Sequence, residues 1–292
     1  MTWYADFEPI VRLNVPLAPL TWFRLGGPAK YFIEPRDVAE LSAILKRLHE
    51  NNIPVYVLGG GANLLVNDQG VDGAVISLTN PEFRKIEVQG CKIKVGAGFD
   101  VQKLVRESAR LGLGGLECLA GIPGSVGGEI RMNAGGAFGD IGSSVSEVTV
   151  MDSKGVCFTR RRDDLNFSYR RSNITAKLIL DATFELTPGN PDRLVSRVKE
   201  IWMYKRNTQP LAENSAGCIF KNSNGTSAGA LIDRASLKGA SVGGASVSDR
   251  HANFIVARQG STSADVISLI DLIRKKVKEH SGVTLETEVV IW

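Results

Sequence analysis

The stretch "ENSAGCIFKNSNG", residues 213–225, sets Cys218 among small and polar residues, with Lys221 and Asn222 just beyond it. A structural cysteine usually behaves as a small hydrophobe inside an apolar run, and this neighbourhood is not one. Its thiol could be a nucleophile, a metal ligand, half of a disulfide or a proton donor. The four cysteines, Cys91, Cys118, Cys157 and Cys218, are far apart and form no C-x-x-C pair, so neither a zinc site nor a stapled scaffold is indicated.

Two glycine-rich stretches form a second kind of site. "VLGGGANLLV" (57–66) matches the first two glycines of G-x-G-x-x-G at Gly59 and Gly61, but the third position is Leu64. A turn and a strand are expected after it rather than a helix, so a dinucleotide fingerprint fails. No G-K-[ST] is present, which removes a triphosphate P-loop. Consecutive glycines between strands can still form a nest of N–H groups for an anion such as a pyrophosphate. The segment 112–142, "GLGGLECLAGIPGSVGGEIRMNAGGAFGDIG", holds eleven of the chain's 31 glycines. Leu116, Leu119, Ile122, Ile130 and Met132 within it argue against a solvated linker. Two such loops could clasp a long, charged, flat cofactor.

The elements that must carry these stretches are legible in part. "AKYFIEP" (29–35) reads as a strand. Asp37 caps a helix with Val38, Leu41, Ile44, Leu45 and Leu48 on one face, and "IPVYVLGGG" is a buried strand running into glycines. "VDGAVISL", "CKIKVGAG", "VSEVTVMDSKG" and "LILDATFEL" read as further strands, and a helix starts at Asp100. "PDRLVSRVKEIWMYKRN" is amphipathic, with Leu194, Val195, Val198, Ile201 and Trp202 inward; the punctuation "TPGNP" (187–191) marks a domain boundary. A short helix near "SAGALIDRA", a strand "HANFIVAR", a helix from Ser263 to His280 and a final strand "VTLETEVVIW" complete the chain.

Composition bounds the rest. With 292 residues, 43% hydrophobic and 23% charged, the chain has the profile of a globular protein of two or three compact units. The start "MTWYADFEPIVRLNVPL" has charges and prolines where a signal peptide needs an apolar core, so export is not expected; neither is membrane insertion. A reducing cytoplasm is then the default compartment, which makes disulfide a poor answer for Cys218. The net charge of +4 is unconcentrated, and "RRRDD" (160–164) carries its own acids and reads as a solvated turn. Without a basic stripe bearing aromatic platforms, nucleic acid is not an expected partner.

Taken together, "TWFRLGG" (21–27), "LGGGANLLV", "GLECLAGIPGSVGGEIRMNAGGAFG", "FSYRRS" (167–172), "AGCIFKN" (216–222), "SAGALID…LKG…GGASVS" with "HANFIV", and "LETEVVI" (285–291) resemble the UDP-N-acetylenolpyruvoylglucosamine reductase family from about residue 18 to 291. The resemblance implies an α+β flavoprotein of the vanillyl-alcohol-oxidase (PCMH-like) FAD-binding fold. Two α+β FAD subdomains, 1–78 (joined by the C-terminal strand 283–292) and 79–190, would precede a substrate-binding domain at 191–282. It further implies a cytoplasmic, monomeric enzyme of peptidoglycan precursor synthesis, of the compact type without a substrate-capping insertion. Such an enzyme uses NADPH and non-covalent FAD to reduce UDP-N-acetylglucosamine-enolpyruvate to UDP-N-acetylmuramate. His49, His251 and His280 lie outside the glycine loops, so a histidyl–flavin bond has no obvious place.

By the same resemblance the cofactor residues are Gly59, Gly60, Gly61, Ala62, Asn63 and Leu64 in the first loop. In the second they are Gly121, Ile122, Pro123, Gly124, Ser125, Gly127, Gly128, Asn133, Ala134 and Gly135. Hydride addition to the enolpyruvyl methylene builds charge that delocalises into the carboxylate, so the reaction asks for a fixed cation and an acid. Arg170 matches the family's cation, and Arg171 would point elsewhere on an extended segment. Glu288 matches the catalytic glutamate, although Glu286 would share its face in a strand. Cys218 stands where most relatives have the protonating serine; a thiol, with an ordinary pKa of about 8.5, is a stronger acid than an alcohol. No histidine lies near it in sequence to make it a covalent nucleophile, and an inert buried cysteine is the bland alternative. Tyr169, Arg206, Lys221 and Asn222 are the substrate contacts implied, and no metal is. Ala62, Ser223 and Phe138 depart from the family's usual serine, proline and tyrosine. A flavin oxidase on the same fold is the rival reading, and a flavin-free nucleotide-sugar binder a third.

Overall fold

The computed structural model describes residues 2–223 and 225–292 and divides into two compact units. The first comprises residues 2–14, 30–60 and 72–204; the second comprises 15–29, 61–71, 205–223 and 225–292. Each has its own apolar core.

A four-stranded sheet, most of whose residues belong to the first unit, runs in the order Val11–Pro16, Pro28–Ile33, Val71–Ser77, Val55–Leu58. Helix α1 (Val38–Glu50) connects Pro28–Ile33 to Val55–Leu58, giving the strand–helix–strand unit read from the sequence. Asp37 starts it, accepting the Glu40 N–H at 2.8 Å, and Leu41, Ile44, Leu45 and Leu48 are buried. Val55–Leu58 lies parallel to 74–77, so its C-terminal end delivers Gly59 and Gly60 beside Leu78 and Thr79. A five-stranded antiparallel sheet follows, ordered Cys157–Arg161, Val145–Met151, Leu178–Glu185, Lys92–Gly96, Ile86–Gln89. Helix α2 (Val101–Arg110) is capped by Asp100, as expected.

Three expectations are modified. The glycine-rich segment is not loop throughout, because Val126–Met132 forms helix α3, burying Val126 and Ile130 one turn apart. Asn133, at φ 46°, ends that helix in the left-handed region. Helix α4 (Pro191–Thr208) does not open a domain at 191, because residues up to 204 belong to the first unit. Ile201 lies in that unit's core, and Leu194 packs against Gly114 and Gly189. On α4 Ile201 is buried and Leu194, Val195 and Val198 are half-buried, as expected, whereas Trp202 is exposed.

The second unit contains a three-stranded antiparallel sheet of Ser241–Val242, Ala245–Val247 and Ile255–Ala257. Helix α5 (Ala228–Arg234) starts at Ser227. Helix α6 (Ser263–Ser281) is held by a Thr262/Asp265 capping box and stops at Gly282, φ 73°. The C-terminal segment is not one strand. Thr287 bridges to Phe220, and Val290–Ile291 then pairs in parallel with Leu64–Leu65. The C-terminus thus joins residues of the 1–78 segment, but ones that fold with the second unit. Among the described residues no helix is long and apolar enough to cross a membrane, and no group of acids, cysteines and histidines could hold a metal.

Candidate active site

A cleft of about 570 Å³ opens in the first unit where backbone meets backbone. A Cβ on Gly60 would lie 2.8 Å from the Gly124 Cα, and one on Gly59 would lie 2.6 Å from the Ser125 Oγ. One on Gly127 would lie 2.8 Å from the Ala97 Cβ. Glycine is required here by close approach, and the same absence of side chains lets a ligand come close to the backbone. Ser77, Leu78 and Thr79 form another wall, with Gly98, Phe99 and Asp100 beside them.

Four cations line the cleft: Arg84, Lys103, Arg131 and Lys177. Its single carboxylate, Asp100, accepts the Lys103 N–H at 2.7 Å as the cap of α2. Burial pushes the Arg131 guanidinium below its ordinary value. Burial, and then the charge of Arg131, lowers Lys177. Such desolvated cations favour an anionic occupant. The cleft's volume is in the usual range for a small-molecule or cofactor site. A glycine cradle that any Cβ would fill, ringed by cations, fits a flat cofactor with a diphosphate.

Of the cofactor residues expected from the sequence, the cleft gathers Gly59, Gly60, Gly124, Ser125, Gly127 and Gly128. Gly121 and Ile122 are held next to it by Gln102, which accepts the Gly121 N–H at 2.8 Å and donates to the Ile122 carbonyl at 2.5 Å. Pro123 lies between them and Gly124. Gly61, Ala62, Asn63 and Leu64 fold with the second unit. There Gly61, at φ 65°, accepts the Trp22 N–H, and the Asn63 amide donates to the Glu288 carbonyl at 3.1 Å. Asn133, Ala134 and Gly135 are not in the cleft wall: Ala134 is buried and Gly135 pairs with Asp140. The sequence reading missed all four cations. Arg131 stood inside the glycine segment, and "KVGAGFD" repeated the pattern of a strand running into glycines.

Tyr169 and Arg170 form the two-residue tip of a hairpin, with Phe167 opposite Ser172 and Ser168 opposite Arg171. Arg170 is therefore in a turn and not on an extended segment. Its φ is 54°, a conformation that costs a non-glycine residue about 1 kcal/mol or more. Its guanidinium lies 5.2 Å from the centre of the Tyr169 ring.

In the second unit, residues 218–221 run between two short stretches of backbone. Cys218 bridges to Phe254 on one side, and Phe220 to Thr287 on the other. Asn253, 3% exposed, accepts the Phe220 N–H at 3.0 Å and donates to the Phe220 carbonyl at 2.8 Å. The Glu288 N–H donates to the Ile219 carbonyl at 2.7 Å, which places the backbone of Glu288 one residue from that of Cys218. Gly217, at φ 73° with open space around it, supplies the bend before the half-buried thiol.

The two acids of "LETEV" are distinguished by what surrounds them. Glu286 is exposed and bonds the Lys221 Nζ at 2.5 Å, a contact that holds its carboxyl below the usual range. Glu288 is half-buried. Lys221 is thus engaged by Glu286, and the Asn222 side-chain oxygen accepts the Ala228 N–H at 3.0 Å. Arg206 is exposed on α4, one residue after Lys205, a lysine only 6% exposed that sequence reasoning passed over.

The comparisons with known proteins agree with this geometry. Residues 29–159 match the FAD binding domain model, and residues 209–292 match the model for the C-terminal domain of UDP-N-acetylenolpyruvoylglucosamine reductase. A cholesterol oxidase described as solvent-stable shares the fold over 62% of this chain and 38% of its own, with a TM-score of 0.50 at 17% identity. The class is therefore that of two-unit α+β proteins with an FAD-binding domain. Similarity to one family is much closer. UDP-N-acetylenolpyruvoylglucosamine reductase 2 of Symbiobacterium thermophilum is 42% identical over 97% of this chain and 92% of its own. The Geobacter metallireducens reductase is 41% identical over 98% and 95%. The crystal structure of the Thermus caldophilus enzyme aligns over 97% of this chain and 99% of its own, with a TM-score of 0.84 and 35% identity. The chain belongs to the UDP-N-acetylenolpyruvoylglucosamine reductase family.

Proposed function

We propose that the protein reduces UDP-N-acetylglucosamine-enolpyruvate to UDP-N-acetylmuramate at the expense of NADPH. The observation that carries this reading is the full-length kinship with reductases of that name. The glycine cradle adds physical support. Gly59, Gly60, Gly124, Ser125 and Gly127 would hold FAD non-covalently, with Arg131 and Lys177 as counter-charges. Bound there, the flavin supplies a carrier that accepts a hydride from NADPH and passes it on.

The chain's own residues answer what the enolpyruvyl group then requires. Arg170 is the cation for the substrate carboxylate, where charge develops after hydride addition. Cys218 gives its Sγ proton to the carbon next to that carboxylate, and Glu288 assists as the second carboxyl of the reaction. Tyr169, Arg206 and Asn222 are assigned to the nucleotide sugar; Lys221 joins them by exchanging Glu286 for a substrate anion. One chain carries every residue in this set, so a monomer suffices. The four cysteines, with no disulfide among the described residues, are compatible with action in the reducing cytoplasm.

The test is an anaerobic spectral titration of the purified protein. NADPH should bleach the flavin band, and the enolpyruvyl nucleotide sugar should restore it. A protein with no flavin band would be a binder. A bleached band restored by oxygen but not by the sugar would be that of an oxidase.

A further inference from the structure

Arg170 holds a backbone conformation that non-glycine residues rarely adopt, and such a conformation persists only where the surroundings fix it. The surroundings come from the end of α3. The Asn133 side chain, 1% exposed, donates from Nδ2 to the Ser168 carbonyl at 2.9 Å, one residue before the hairpin tip. Its Oδ1 accepts the Gly142 N–H at 3.0 Å. Donor and acceptor are each met by the opposite kind of group, so the amide has one satisfied orientation. Gly142 in turn has no room for a side chain: a Cβ there would lie 2.4 Å from the Phe167 Cγ, on the same hairpin. On the other hairpin strand, the Ser172 hydroxyl donates to the Arg131 carbonyl at 2.9 Å.

We infer that Asn133 is a positioning residue for Arg170, fixing the hairpin tip to the end of the helix whose glycines line the cofactor cleft. The inference rests on the reductase reading. It also reassigns Asn133, expected from the sequence to bind cofactor, to the hairpin that carries the reaction's cation. Removing the Nδ2–Ser168 bond releases the tip, and misplacement of a catalytic group by about 1 Å can slow a reaction about 10²-fold.

The experiment compares Asn133→Gly, which keeps the left-handed backbone, with Asn133→Asp, which keeps the acceptor for Gly142 but loses the donor to Ser168. Both are measured anaerobically as holoenzymes, alone and combined with Arg170→Ala. The expected result is unchanged flavin content, with restoration of the flavin band by the enolpyruvyl sugar slowed about 10²-fold in each single variant. In the Arg170→Ala background the Asn133 changes should cost nothing further, since there is no guanidinium left to position. Equal rates in wild type and variants would overturn the inference, as would full additivity with Arg170→Ala. Loss of flavin from both variants would also overturn it, by returning Asn133 to the cofactor. Failure of wild type to respond to the sugar would instead overturn the reductase reading.

Discussion

In the proposed reaction Cys218 is the proton donor. Its immediate sequence is too polar for a packing cysteine, and the structure leaves it half-buried between Phe254 and the segment ending in Glu288. If its role is to give up a proton, the geometry must matter more than the element. Cys218→Ser should keep both half-reactions within about tenfold. Cys218→Ala should leave bleaching by NADPH intact and slow restoration by the enolpyruvyl sugar about 10²- to 10⁴-fold, the usual contribution of a general acid. Stopped-flow absorbance under nitrogen checks both. At this scale the sequence was partly legible. The type and setting of Cys218 raised the question without the fold, but nothing local separated Glu288 from Glu286. That distinction needed the Lys221 contact, which joins residues 65 apart in the chain.

At the scale of elements, capping and close approach explain where the loops are held. The strand Val55–Leu58 and the helices α1 and α2 were legible because periodicity and an aspartate cap agree locally. Helix α3 was not, because its glycines weaken helix propensity and its cause is tertiary, in Val126 and Ile130 meeting the core. Gly60→Ala should empty the cleft: its methyl would lie 2.8 Å from the backbone of Gly124. The purified variant is expected to be folded by circular dichroism, with far less bound flavin per chain than wild type. Asp265 tests a second element. Its carboxylate accepts the Thr262 and Gly244 N–H groups, which lower its pKa in that order. A depressed carboxyl stabilises the fold above its unfolded pKa, about 3.9, and loses that contribution as pH falls through the folded value. Asp265→Asn should therefore lower the Tm at pH 7, and the gap from wild type should close in thermal scans taken below about pH 4.

At the scale of the whole molecule, the chain order does not follow the compact units. The second core includes Phe23 and Leu65 alongside Ile219, Phe220, Ile270 and Leu285, and Val290–Ile291 pairs with Leu64–Leu65. A fragment of residues 205–292 lacks those partners, so it should show no cooperative unfolding transition, whereas the full chain should. This interleaving was the least legible feature. Punctuation at 187–191 marked a boundary, but punctuation records where the backbone turns and not which core a helix joins. Ile201 settles α4 in the first core, ten residues past the marker. The family motifs, by contrast, were legible along the whole chain, because the reaction fixes residue types at positions that folding brings into separate elements.

The reductase activity is tested most directly by the mass of the nucleotide sugar after anaerobic incubation with the holoenzyme and NADPH. Each enolpyruvyl sugar should gain one hydride and one proton, with NADPH consumed mole for mole. Recovery of the sugar unchanged, with NADPH consumed only when oxygen is admitted, would contradict it.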